Sequence, residues 1–164
     1  MPATQPPWWR GARGEWYVVA QLVLIAVVFF APRTIAGLPD WPNVVSRIAL
    51  FFGFALMAVG ICLLLAGLFR LGPNLTPLPF PKPTATLVET GPYRFVRHPM
   101  YSGGIMLAYG WALYVHGWLT LIYATVLLIF LNLKSAREEQ WLVAKFPEYP
   151  SYQRRVRKLI PFIY

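Results

Sequence analysis

The chain has 164 residues, of which 57% are hydrophobic and 13% charged, and its formal net charge is +9. So apolar a composition excludes an ordinary soluble domain of this length and predicts an integral membrane protein. The positive charge alone would admit a nucleic-acid partner, but its distribution along the chain argues against one.

The first predicted element is the apolar run 16–31, interrupted only by Gln21. It ends in "FFAPRT", which lacks a small-x-small cleavage site, so it reads as a retained span and not a secretory signal. The second run, 48–69, has 22 residues without a charge, close to the roughly 20 that a crossing takes. Gly53, Gly60 and Gly67 recur there every seven residues. They nearly share one face, where small residues let helix backbones approach in lipid. The single cysteine, Cys62, lies mid-span, which rules out a disulfide within the chain and any redox pair. It is expected to pack toward lipid or a neighbouring helix.

The segment "GPNLTPLPFPKPTATLVETGPYRFVRHP" follows. Its five alternating prolines, from Pro73 to Pro83, predict a stiff extended path. Such a path suits either a wall over a site or a rigid linker along the membrane surface. "TATLV" is a short β-prone piece, and "ETGPY" reads as a turn. Pro99 fits the first turn of a helix, so His98 and Pro99 are expected at the N-terminus of a third span. Unpaired N–H groups and a positive dipole end lie there. With Arg94 and Arg97 alongside, the place predicts a receptor for a small anionic group.

The third apolar run, 100–133, holds 34 residues without Asp, Glu, Lys or Arg. That is too long for one crossing and predicts a tight helical hairpin turning at His116 and Gly117. Each arm has about 16 residues, or roughly 24 Å. Arms so short are expected to lean on neighbours or run past the membrane surface. Gly103 and Gly104 let the first arm pass close to a ligand or another helix. His116, at the far turn, is expected to be structural.

The chain ends "KSAREEQWLVAKFPEYPSYQRRVRKLIPFIY". Lys134 and Glu138 are four apart and share a helix face. Both hairpin arms end on one side, so residues 97–101 and 134–139 are expected to meet. Residues 149–160 interleave basic and apolar side chains and are expected on the membrane surface. With about four spans, 13 of the 15 basic residues fall on one side, leaving only Arg33 and Arg47 opposite. The positive-inside rule then places both termini and the 70–99 loop in the cytoplasm. Anionic lipid accounts for the charge, and no nucleic-acid partner is expected. No His, Cys and carboxylate set has metal-ligand spacing, so no metal is expected. The fold class is an all-α integral membrane protein of about four transmembrane helices, the last two a tight hairpin. Its cytoplasmic pocket is formed by the 70–99 loop and the C-terminal tail. One membrane-embedded domain is expected over 1–164: spans 1 and 2 in 1–69, the proline-rich loop in 70–99, the hairpin in 100–133 and a cytoplasmic segment in 134–164.

Arg97-His98-Pro99-Met100-Tyr101, then a short hairpin, then Glu138-Glu139, resembles the RHPxY…EE signature of the isoprenylcysteine carboxyl methyltransferase and phospholipid methyltransferase superfamily. The likeness runs from about Leu87 to Pro161 and includes "LVETGPYRFVRHPMY", "EEQWLVAKFPEY" and "RRVRKLIPF". The first two spans match only as generic membrane helices. The resemblance implies a membrane methyltransferase that uses S-adenosyl-L-methionine and releases S-adenosyl-L-homocysteine, without a soluble Rossmann domain. Consistent with that, the chain holds no G-x-G-x-x-G. Carried over residue by residue, cofactor contacts fall on Ala85, Thr86, Leu87, Val88, Tyr93, His98, Pro99, Met100, Tyr101 and Glu138. At Ala85, where some relatives have histidine, only backbone contact is left. A substrate-side arginine of eukaryotic relatives falls on Lys134, which keeps the charge but not the planar fork. Arg97, to orient the acceptor, and Glu139, as candidate base, complete the expected catalytic set.

The residue types suit that cofactor. Leu87, Val88 and Tyr93 can sandwich an adenine. Glu138 can accept from ribose hydroxyls or the α-ammonium, His98 and the helix N-terminus can receive the carboxylate, and tyrosine rings can stabilise a sulfonium. In-line methyl transfer depends chiefly on alignment and desolvation. A carboxylate or thiolate acceptor needs no strong base, whereas an amine does. Beyond Glu139 or a tyrosine no base is evident, which favours O- or S-methylation. The expected partners are a lipophilic small-molecule acceptor, reaching the site from the bilayer, and membrane lipid. Two alternatives stand beside this reading. One is an NADPH-dependent reductase fragment or subunit like the sterol reductases, whose tail resembles Pro161-Phe162-Ile163-Tyr164. The other is a non-catalytic membrane subunit. The residues leave the acceptor's identity and the oligomeric state open.

Overall fold

The computed structural model describes residue 11 and residues 13–160. Arg10 of the charge count and the tail 161–164 lie outside the described residues. Five α-helices follow in order: α1, Glu15–Phe30; α2, Asn43–Leu71; α3, Pro99–Tyr114; α4, Trp118–Lys145; and α5, Tyr149–Arg155. Short 3-10 turns cover Gly72–Asn74 and Gly91–Arg94. Among the described residues there is no β-strand, only an isolated parallel bridge between Val96 and Arg157. Helices α2 and α4 are long and apolar enough to cross a membrane. Helices α1 and α3 have 16 residues each, about 24 Å.

Helix α3 is the centre of the fold. On one side it meets α2 along the expected glycine seam. A Cβ built on Gly60 would lie 2.8 Å from the Gly103 carbonyl oxygen, and one on Gly53 would lie 2.9 Å from that of Gly110. Only glycine permits so close an approach of the two backbones. On its other side α3 packs with α1 and α4 around Val28, Ala108, Ala124, Leu127 and Leu131. Large side chains such as Phe51, Phe52 and Phe69 point outward from α2, as does Cys62. In a bilayer that outward apolar face is the solvated one.

The hairpin turns where the sequence predicts. His116 takes a left-handed φ of 51°, and its ring nitrogen lies 3.1 Å from the Ser46 carbonyl oxygen. Its ring packs against Trp41, so the structural role expected of it holds. Helix α4, however, does not stop at Leu133. No Gly or Pro occurs between Trp118 and Lys145, so it runs on as one rod that carries Lys134, Glu138 and Glu139. Phe146 breaks it, with Pro147 disfavouring helical dihedrals in the residue before it.

One local expectation is corrected and one refined. "TATLV" forms no strand: Thr84 sits in a turn and residues 85–88 have no regular structure. Instead the Thr86 N–H donates to Asn74 Oδ1 at 3.0 Å. Residues 149–160 turn one face inward, while Ser151, Arg154, Arg155, Arg157 and Ile160 are exposed. Tyr149, Tyr152, Val156, Lys158 and Leu159 are buried, and only Tyr149–Arg155 is helical. The apolar residues find a better partner in the protein, packing with Phe146, Ala85, Leu87 and Leu142.

Candidate active site

The expected clusters do meet. Arg97 Nε donates to Glu139 Oε1 at 2.7 Å, and His98 Nε2 lies 3.1 Å from the same oxygen. The Tyr101 hydroxyl donates to Glu138 Oε2 at 2.8 Å, and His98 Nδ1 lies 3.8 Å from that atom. The His98 and Tyr101 rings stack, with centroids 5.3 Å apart and planes 5° from parallel. His98 therefore stands between two neighbouring carboxylates, with one ring nitrogen toward each.

The C-terminal segment closes this cluster from behind. The backbone N–H groups of Arg97 and His98 donate to the Arg157 and Lys158 carbonyls at 2.8 and 3.1 Å. Arg97 Nη1 donates to the carbonyls of Gln153 and Val156. Gln153 Nε2 donates to Glu139 Oε2 at 3.1 Å, and Ser102 Oγ to the Leu159 carbonyl at 2.6 Å. Lys158 Nζ donates to Asn132 Oδ1 at 2.8 Å on α4. The Tyr152 hydroxyl donates to the Tyr93 carbonyl at 2.6 Å. Burial pushes the phenols of Tyr93, Tyr149 and Tyr152 above the ordinary phenol range, and the Glu138 charge adds to this at Tyr93.

One cavity of about 550 Å³ lies in front of the cluster. All ten residues expected to touch the cofactor line it: residues 85–88, Tyr93, residues 98–101 and Glu138. Arg97 and Lys134 line it too. Glu139 does not: both its oxygens are engaged by Arg97, His98 and Gln153. Arg94, expected in the anion receptor, is exposed and off the cavity. Prolines 77, 79 and 81 form a wall, as their stiffness suggested. That wall is tied to the end of α4 by Lys145 Nζ, which donates to the Pro83 carbonyl at 3.0 Å.

The lining residues of the cavity fall into two sets along the helices. Its upper part is ringed by the motif, the proline wall and Tyr149. Its lower part runs between α1, α3 and α4 past Ile25, Phe29, Leu127 and Leu131. Lys134 stands at the junction, nearly sealed from solvent. Its Nζ donates to Gln21 Oε1 at 2.5 Å and lies 5.2 Å over the Tyr101 ring. Gln21 was missed as a site residue, although it was the one polar break in the first apolar run. Tyr149, Tyr152 and Phe146 were missed because a basic, apolar-studded tail reads the same whether it faces lipid or a core.

The residues present suit a charged, part-aromatic cofactor. Glu138 Oε2 is held by Tyr101 and faced by His98, while Oε1 is offered no partner among the described residues and Glu138 borders the cavity. Tyr93 and Tyr101 add aromatic faces. Among the described residues no cluster of His, Cys, Asp or Glu is grouped to hold a metal.

Comparison with known proteins agrees. Residues 48–149 match the family model described as phospholipid methyltransferase. Over 166 aligned positions the chain is 28% identical to a methanethiol S-methyltransferase of Crocosphaera subtropica, covering 90% of this chain and 60% of that protein. Over 79 positions it is 35% identical to a protein-S-isoprenylcysteine O-methyltransferase of Schizosaccharomyces pombe, covering 47% of this chain and 34% of that one. The chain thus spans less than two thirds of the length of either relative.

Proposed function

The chain belongs to the phospholipid methyltransferase family, and on that premise we propose that it transfers a methyl group from S-adenosyl-L-methionine to a lipophilic acceptor where membrane meets cytoplasm. The observation that carries this reading is one cavity whose lining joins the motif residues to apolar residues of α1, α3 and α4. Its upper part is lined by all ten residues that the family likeness marks for the cofactor, and its lower part is apolar. In this reading α1 to α4 all cross the membrane and the whole chain is one domain. Both termini, the 70–99 segment and the upper cavity face the cytoplasm, as the basic residues suggest.

The cofactor supplies an electrophilic methyl group on a sulfonium. The protein's part is to hold, align and exclude water. Glu138, fixed by Tyr101 and faced by His98, would accept from the hydroxyls or ammonium of the bound group. The ring of Tyr93 would offer its face to the cation, and residues 85–88 with the proline wall would cover its apolar surface. Arg97 and Glu139 act here as positioning residues. Their ion pair pins the motif to the C-terminal segment and sets His98 between the two carboxylates. Lys134, at the junction, presents an ammonium to an anionic acceptor group. With Glu139 so occupied and Glu138 given to the cofactor in this reading, no other carboxylate among the described residues lines the cavity to serve as base, which favours acceptors that react as anions, such as thiolates or carboxylates.

That the relatives are named as an S-methyltransferase and an O-methyltransferase supports this preference. Calorimetric titration of the detergent-solubilised protein with S-adenosylhomocysteine and, separately, NADPH tests the reading. Saturable heat with the first alone is expected. Binding of NADPH alone would favour the reductase reading, and binding of neither a non-catalytic subunit.

A further inference from the structure

The lower cavity is built from three helices in step. At its mouth stand Gln21 on α1, Tyr101 on α3 and Lys134 on α4, joined by the hydrogen bond and the cation–ring contact already given. At its foot stand Phe29 on α1 and Leu127 on α4. Phe29 is backed by Trp111, their ring centroids 5.6 Å apart. Gln21 to Phe29 is eight residues and Lys134 to Leu127 seven, so mouth and foot are about 10–12 Å apart at 1.5 Å per residue.

Between them, one turn below the mouth, the lining is Ile25, Leu131 and Gly104. Two bulky side chains thus face a residue with none. The neighbouring glycine shows why this matters. A Cβ on Gly103 would lie 2.6 Å from the Gly60 carbonyl oxygen and 2.8 Å from the Leu64 nitrogen, so Gly103 is glycine for packing. A Cβ on Gly104 would meet nothing within 4 Å. Gly104 borders the cavity, and neither packing nor a left-handed φ demands glycine there.

We infer that Gly104 sets the bore of an acceptor channel, which takes a molecule bearing its reacting group at the end of one slender, unbranched apolar arm. The arm passes Gly104 and ends against Phe29, while the reacting group stays at the ring of Gln21, Tyr101 and Lys134. Branched or fused-ring acceptors meet Ile25 and Leu131 and are excluded. The inference rests on the methyltransferase reading for the word acceptor alone, since the cavity and the residues lining it are properties of the fold.

The test uses the full chain in lipid nanodiscs and a straight-chain alkanethiol with a photoreactive diazirine at its far end. In the wild type, label is expected on peptides holding Phe29 or Leu127 and is competed away by unlabelled decanethiol. Gly104→Leu is expected to lower that label by about tenfold or more, because its side chain would occupy the open space beside Gly104 that the arm needs. Its melting temperature and S-adenosylhomocysteine affinity should stay near wild type. Gly104→Ala should lower the label less, and Gly103→Ala should instead lower the melting temperature. Equal labelling of Gly104→Leu and wild type overturns the inference, and so does label confined to the outward face of α2. If Gly104→Leu fails to fold, Gly104→Ala and Gly104→Ser carry the same comparison. Absence of S-adenosylhomocysteine binding to the wild type would remove the methyltransferase reading, and the labelling pattern would still decide the channel.

Discussion

Arg97 and Glu139 lie 42 positions apart in sequence, yet their side chains meet at 2.7 Å with little of either exposed. Breaking one partner of a buried pair costs about 3–5 kcal/mol, because the other charge is left without compensation. Arg97→Ala and Glu139→Gln should therefore each lower the melting temperature markedly. Trypsin should also cut faster at Arg154 and Arg155, because Arg97 no longer holds the carbonyls of Gln153 and Val156. Joint replacement by Met and Leu should be milder than either single change. A wild-type melting curve for Arg97→Ala would refute the positioning role.

Glu138 faces the cavity and Glu139 does not, so the two should separate in function. A charge-assisted hydrogen bond is worth about 1.5–3 kcal/mol, so Glu138→Gln should weaken S-adenosylhomocysteine binding by roughly tenfold or more at 1.4 kcal/mol per decade. Folding should be unaffected. Tyr101→Phe, which removes only the bond that orients Glu138, should cost about 0.5–1.5 kcal/mol. Glu148→Gln, exposed and off the cavity, is the control. Calorimetry reads all three.

In the proposed function Lys134 serves the acceptor side of the junction. Lys134→Met should depress kcat/KM for an anionic acceptor by about tenfold or more, the loss of one charged hydrogen bond. Cofactor affinity should move little. If S-adenosylhomocysteine binding falls as far as in Glu138→Gln, Lys134 serves the cofactor instead.

Alkaline pH offers a structural test. Tyr149 and Tyr152 have phenols held above the ordinary range by burial. Both ionise near their ordinary value of about 10 in an unfolded chain. A group whose pKa is raised on folding contributes stability that is full below the unfolded value and declines above it. Melting temperature should thus be level up to about pH 10 and fall beyond it. Tyr152→Phe should blunt the fall.

Sidedness can be read with cysteines. In right-side-out cells, Lys82→Cys should resist an impermeant maleimide until the cells are opened. Cys62, outward on α2, should react with a lipid-soluble maleimide and not the impermeant one. Labelling of Lys82→Cys in intact cells would overturn the proposed orientation.

The helices were legible because apolar runs and glycine spacing are local signals. The stretches 16–31 and 48–69 came out as α1 and α2, each within a few residues at either end. The hairpin turn was legible from His116 and Gly117. The cavity lining was legible from a motif, not from physics, since nothing local says that Glu138 will face it and Glu139 will not. That difference is set by about 100° of helix rotation per residue and by which neighbours Arg97 and Gln153 reach. The inward packing of the C-terminal segment was not legible for a related reason. Its alternation of Tyr, Val and Leu with Arg and Lys fits a bilayer surface and a protein groove equally well. Only the backbone pairing of residues 97 and 98 with 157 and 158 distinguishes them, and backbone pairing leaves no mark on side-chain composition.

That pairing also dictates a schedule. Chains are made from the N-terminus onward, so the helices that line the lower cavity are all synthesised before Arg157 and Lys158 exist. Until those two carbonyls arrive, the N–H groups of Arg97 and His98 lack their partners, and His98 lacks the backing that keeps it between Glu138 and Glu139. The backing of His98 is therefore made only after every helix that lines the lower cavity.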